Sequence, residues 1–128
     1  MNKKITLLIT ASIFLFSIGL SQTYNMSNSS ITTCSGTFYD NGGLGLYTSN
    51  QNLTQTFSPA TAGNVIQVSF TSFQTEVGYD FLFIYDGPNT SSPLLGAYSG
   101  NGVLNGISFK STHSTGSLTF VFISDGTF

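Results

Sequence analysis

The chain has 128 residues, only 6% of them charged, with three Lys, no Arg, five carboxylates and a net charge of −2. Phosphate backbones are held by clustered Lys and Arg, so nucleic acid is excluded as a partner. A single Cys and a single His cannot supply the ligands of an ordinary zinc site, which leaves an oxygen-liganded cation or a basic group on another protein as complements to the acids.

Lys3 and Lys4 precede an apolar run from Ile5 to about Leu20, the layout of a secretory signal. Gly19 and Ser21 are small residues two apart, so cleavage is expected after Ser21, giving a secreted or cell-surface product that starts at Gln22. The run is short for a span and no basic cluster follows it, so no membrane span is expected in the mature chain. Removal of residues 1–21 leaves Lys110 as the only cation against Asp40, Glu76, Asp80, Asp86 and Asp125. The remaining length suits one domain with one core. Residues 22–29, rich in Ser and Asn, read as a mobile lead-in to a domain over 30–128.

After Gln22 apolar residues do not recur at helical spacing, whereas short runs of Phe, Ile, Val, Tyr and Thr lie between Gly, Asn, Ser and Pro clusters. Strands are expected at 30–34, 52–57, 64–71, 79–86, 93–98, 106–110 and 116–123. Ile66, Val68 and Phe70 alternate with Gln67 and Ser69, the pattern of a strand with one face buried and one wet. The runs YDFLFIY at 79–85 and LTFVFI at 118–123 are apolar on both faces; they are expected to be central strands with cover on each side, or to expose an aromatic patch. The fold class is all-β, an antiparallel two-sheet β-sandwich.

Three of the five carboxylates fall in FTSFQTEVGYDFLFIYDG, residues 70–87. Glu76 and Asp80 bracket a Gly-containing turn, and Asp125 closes the last apolar run. If 79–86 and 116–123 are antiparallel neighbours, Asp80 and Asp125 share one rim. Four extended residues span about 13 Å, so Glu76 joins them only if the chain folds back at Val77-Gly78, where Gly tolerates positive φ. The arrangement reads as a cation site. Asp86, before Gly87, reads as a solvated turn former. His113, in STHSTGS, reads as a surface turn with nothing tying it to an acid, and no Ser/His/Asp set is suggested. Tyr47, Tyr79, Tyr85 and Tyr98 are candidates for a contact face.

With these residues in hand, the chain from about Tyr24 onward resembles a CUB domain. The resemblance is carried by GTF at Gly36–Phe38, Tyr47, FTSF at Phe70–Phe73, Glu76, YDFLFIYDG at Tyr79–Gly87, LLG at Leu94–Gly96 and FVFISD at Phe120–Asp125. It implies a jelly-roll-like sandwich and one Ca²⁺ held by Glu76, Asp80 and Asp125, with the Gly126 carbonyl and water completing the six to eight oxygens the ion takes. It also implies a non-enzymatic binding or adhesion module whose protein partner presents Lys or Arg to a surface that includes Tyr47, Glu76 and Asp80. Alternatives are an accessory domain of a secreted enzyme such as a protease, or a carbohydrate-binding module with a glycan ligand. Two disulfides common in the family are missing. Val77, Gly78 and Ser99 stand where the second would be; Cys34 matches one end of the first, with Leu53 and Ser58 in the region of its partner, and reads as a small buried hydrophobe or as a thiol that pairs with another chain. The family runs on past its SD pair to one more strand, so the final strand is expected to lie beyond Phe128.

Overall fold

The computed structural model describes residues 22–127; the secretory signal expected at 1–21 lies outside them. Nine strands follow one another: β1 (Thr23–Asn25), β2 (Ser29–Thr33), β3 (Thr37–Tyr39), β4 (Asn52–Pro59), β5 (Gln67–Ser69), β6 (Phe81–Asp86), β7 (Leu94–Tyr98), β8 (Ser108–Lys110) and β9 (Leu118–Ile123). No helix among the described residues is long and apolar enough to cross a membrane. One layer is a five-stranded sheet in the order β2-β4-β9-β6-β7. Facing it are two separate two-stranded ladders, β1-β3 and β5-β8.

The two doubly apolar runs occupy the middle of the large sheet, as their composition requires. β9 pairs antiparallel with β4 on one side and β6 on the other, with Phe120 opposite both Gln55 and Ile84. Side chains alternate across a strand, so Leu82 and Ile84 of β6 and Leu118, Phe120 and Phe122 of β9 point into the sandwich, where all are buried. Edge-on ring contacts knit this core: Phe38 lies 4.8 Å from Phe57, and Tyr47 lies 5.0 Å from Phe122, separations at which aromatic pairs are favourable. The outer face is covered at one end and partly exposed at the other, a mixture of the two outcomes that the sequence left open. At one end the 87–88 backbone covers it, accepting hydrogen bonds from Thr119 and Thr56; toward the other, Phe81 and Phe83 are half-buried and Ile123 is 40% exposed.

Three expectations need correction. Residues 22–29 are not a mobile lead-in: β1 pairs with β3, Tyr24 packs on Phe57 at 5.6 Å, and Met26 is buried. The apolar residues at 24 and 26 supply the anchoring that the Ser/Asn content hides. The pairing is also not uniformly antiparallel, since β1-β3 and β2-β4 are parallel; side-chain alternation is the same in both pairing modes and does not distinguish them. Cys34 is free and exposed rather than buried. Its segment is tied to β4 through the Ala60 N–H, which donates to the Thr33 carbonyl at 3.0 Å, so its neighbour across the ladder is Ala60 instead of Leu53 or Ser58.

Candidate metal centre

Asp80, directly before β6, is 0% exposed. A buried carboxylate is costly unless its oxygens are satisfied, and here both are. The Tyr47 hydroxyl donates to Oδ2 at 2.6 Å, and the Asp125 N–H donates to Oδ1 at 2.9 Å. β6 and β9 run antiparallel with Phe81 opposite Ile123, so the start of one strand and the end of the other meet at the rim, and Asp125 follows from that register.

Glu76 arrives through a tight turn. The Asp80 N–H donates to the Glu76 carbonyl at 3.1 Å, and Gly78 sits at φ +80°, a conformation in which a side chain would be strained. The Tyr47 hydroxyl then accepts the Glu76 N–H at 3.0 Å, so a single phenol bridges the two acid-bearing segments. Burial, first, and the bond to Asp80, second, push the Tyr47 hydroxyl up to about 12, so it stays protonated as the donor this geometry needs. Oxygens of Glu76, Asp80 and Asp125 lie within 4.8 Å of one another. Glu76 Oε2 is buried and has no hydrogen-bond partner.

Further residues shape the rim. Asn50 adopts φ +58°, which Asn tolerates better than most residues, and its N–H donates to the Asp125 carbonyl at 2.6 Å. The backbone and hydroxyl of Thr127 both donate to Asp125 Oδ1, at 2.8 and 3.0 Å. Ser99 accepts the Gly78 N–H at 2.7 Å and donates to the Glu76 carbonyl at 3.0 Å. At the positions where the resemblance implies a second disulfide, hydrogen bonds from one hydroxyl hold the 76–78 turn. Asn50, Ser99 and Thr127 carry no mark in the sequence that sets them apart from the other Asn, Ser and Thr residues.

The remaining predicted residues divide. Gly126 lies against the Asn50 side chain. Of the residues expected to meet a partner, Tyr47 is 7% exposed and Asp80 fully buried, so both lie beneath the surface. Tyr79, 63% exposed, and Val77, 73% exposed, stand beside the acids at the surface. Asp86 is not a solvated turn residue. It is 7% exposed and accepts from the Ser111 hydroxyl at 2.9 Å, the Thr112 N–H at 2.9 Å, the Thr112 hydroxyl, and the His113 N–H at 3.2 Å. His113 is therefore tied to an acid, though through its backbone; its ring Nδ1 pairs with the Thr115 hydroxyl at 2.9 Å and accepts the Thr115 N–H at 3.1 Å, a local turn contact.

A model of the CUB domain family matches residues 27–128. The chain belongs to the CUB domain family. CUB domains are non-catalytic binding modules found mainly in extracellular proteins, and many bind Ca²⁺. The oxygen-only donor set at this CUB rim suits a hard cation, and a buried carboxylate oxygen without a partner is the kind of group such an ion satisfies.

Proposed function

We propose that this CUB domain is a Ca²⁺-supported adhesion or binding module of a secreted or cell-surface protein, and that its partner presents a Lys or Arg to the cation rim. The carrying observation is the convergence of Glu76, Asp80 and Asp125 within 4.8 Å around the unpartnered Glu76 Oε2. Three carboxylates this close repel one another, and Ca²⁺ relieves that repulsion while fixing their orientation. Acids held by an ion lose less side-chain freedom when they receive a cationic side chain. Glu76, Asp125 and the Gly126 backbone complete the ion's shell with Asp80 behind them, and the partner meets Glu76 and Asp125 with Val77 and Tyr79 alongside. A glycan platform has less support: among the described residues, Tyr79 is the only aromatic of the large hydrophobic residues that stand clearly exposed.

Titration calorimetry of Ca²⁺ into the mature domain is expected to give one site with Kd of about 10⁻⁴ to 10⁻³ M, the range of extracellular modules. Glu76→Gln leaves the Glu76 backbone bonds in place and is expected to abolish the heat while the domain stays folded by circular dichroism. Unchanged Ca²⁺ affinity in E76Q rejects the reading. Capture of a Lys-bearing partner that survives chelator rejects its second half.

A further inference from the structure

The outward face of the five-stranded sheet changes character partway across. Leu82 and Ile84 of β6 are buried in the core, so Phe81, Phe83 and Tyr85 point outward by alternation. Phe81 lies opposite Ile123 of β9 and Phe83 opposite Val121, while on the other side Phe83 lies opposite Ala97 of β7. Beyond β9 the partners of Ile123 and Val121 on β4 are Asn52 and Thr54, so the apolar part of the face ends there. At the β7 edge the register shifts: Ile84 lies opposite Gly96, but Tyr85 lies opposite Leu94. The extra residue, Leu95, makes a bulge. Alternation from Ala97 already turns Leu95 outward, and the bulge brings Leu94 to the same face, where Leu94 is 53% and Leu95 40% exposed.

The outward positions of β9, β6 and β7 carry no charge. Phe81 and Phe83 stand half-buried with their rings 6.1 Å apart, and a continuous apolar face of this kind marks a contact surface where singly exposed residues do not. It also runs up to the acids: Asp125 stands two residues after Ile123, and Tyr79, 63% exposed, two residues before Phe81. Charge selects among the occupants. Three carboxylates with one Ca²⁺ still sum to a negative charge, so the rim favours a cationic neighbour. A second copy brings the same acids and only Lys110, which lies on β8 in the other layer. Size selects as well. Three strands at the usual spacing, over the length of β7, span roughly 15 by 17 Å, about a third of the ~800 Å² that each partner of a standard interface buries. A short segment suits that extent; a homodimer held by this face alone falls short of a stable one.

We propose that the outward face of β9, β6 and β7 is a docking surface for a short extended segment of another protein, apolar at alternate positions and carrying a Lys or Arg at the end that meets Glu76 and Asp125. The basic end rests on the reading of the rim given above; the apolar length stands on the sheet alone. The charged end fixes the direction in which the segment lies, and the apolar contacts exclude water from the pair formed there.

The test is fluorescence anisotropy of labelled synthetic peptides on the mature chain in Ca²⁺: one with Lys followed by alternating Leu and Thr, one with Ser replacing each Leu, and one with Gln replacing the Lys. The peptide with Lys and Leu is expected to bind at least about tenfold more tightly than the one with Lys and Ser. Phe83→Thr is expected to remove that preference while Ca²⁺ affinity by calorimetry stays unchanged. Leu95→Ser, at the exposed bulge, is expected to reduce it in the same direction and carries the test if Phe83→Thr does not fold. Equal affinity for the Leu and Ser peptides overturns the proposal, as does a preference that survives both substitutions. Equal affinity for the Lys and Gln peptides with the Leu preference intact overturns the basic end, and the reading of the rim with it, but not the apolar face. Self-association of the wild-type chain, or cosedimentation with phosphatidylcholine vesicles, that Phe83→Thr removes assigns the face to a different occupant and overturns the proposal as well.

Discussion

The phenol of Tyr47 joins two acid-bearing turns without being an acid itself. Its hydroxyl gives one bond to Asp80 and takes one from Glu76, and replacing it with Phe leaves both partners short of a bond in a buried place. Tyr47→Phe is expected to cost about 2 kcal/mol, read as a lower denaturation midpoint, and to weaken Ca²⁺ binding in the same protein. Because burial and Asp80 raise this hydroxyl to about 12, the stability it contributes is whole below about pH 10, the ordinary Tyr value, and is lost as pH climbs through 12. Alkaline melting curves are expected to fall more steeply for the wild type than for the Phe variant. Asp86 works in the opposite sense. Burial alone would raise its carboxyl, but the hydrogen bonds from Thr112, Ser111 and His113 together outweigh burial and hold it below the usual carboxylate value. Its contribution is therefore complete above about pH 4 and disappears as pH falls through the lowered folded value. Asp86→Asn, which places an amide donor among these donors, is expected to cost about 3 kcal/mol at neutral pH and to flatten the acid limb of the stability profile.

At the level of strands, composition and alternation located seven of the nine elements, because each holds enough Phe, Ile, Val, Tyr or Thr between turn residues to announce itself. β1 and β3 are three residues each, too short for a period of two to register, and both depend on packing against Phe57 and Phe120 from the other layer. β5 was expected over 64–71 and forms only at Gln67–Ser69, since its one partner, β8, is as short. The meeting of Asp80 and Asp125 was legible because it follows from antiparallel neighbours alone. The supports were not: Asn50, Ser99 and Thr127 act through backbone geometry that three-dimensional proximity creates. Ser99 offers a test of this second tier. Ser99→Ala removes the bonds to Gly78 and Glu76 and is expected to cost about 1 to 2 kcal/mol in chemical denaturation, with Ca²⁺ affinity reduced because the Glu76 turn loosens. The edge strand pairing offers another. Thr33 lies opposite Pro59 in the β2-β4 ladder and bonds onward to Ala60, which brings Cys34 beside Ala60. Ala60→Cys is expected to close a disulfide with Cys34 on air oxidation and to add up to about 3 kcal/mol by restricting the unfolded chain; thiol titration before and after reduction reports whether the bond forms.

For the molecule as a whole, polar tethers hold the sandwich at opposite ends of one central strand. Asp86 closes β6 at one end by receiving the 111–113 segment that follows β8, and Asp80 precedes β6 at the other by receiving Tyr47 and Asp125. The first tether is complete within the protein. The second brings three carboxylates together in a chain whose residues 22–128 carry only Lys110 as a compensating cation, so stability at that end is expected to respond to the cations the solvent supplies. Ca²⁺ at ten times its Kd adds about 1.4 kcal/mol by mass action, which for a domain of this size raises Tm by roughly 6 to 10 °C. Differential scanning calorimetry is expected to show that rise in the wild type, its reversal by chelator, and a flat response in Glu76→Gln. Sodium chloride at matched ionic strength separates coordination from screening: screening acts on exposed charges through the Debye length and does not distinguish ions of equal ionic strength, whereas coordination by the proposed ligands, with the unpartnered Glu76 oxygen among them, is expected to favour Ca²⁺ over Na⁺. A Tm that climbs as much with sodium as with calcium means the acids are merely screened, and the rim then lacks the fixed geometry on which recognition of a basic side chain depends.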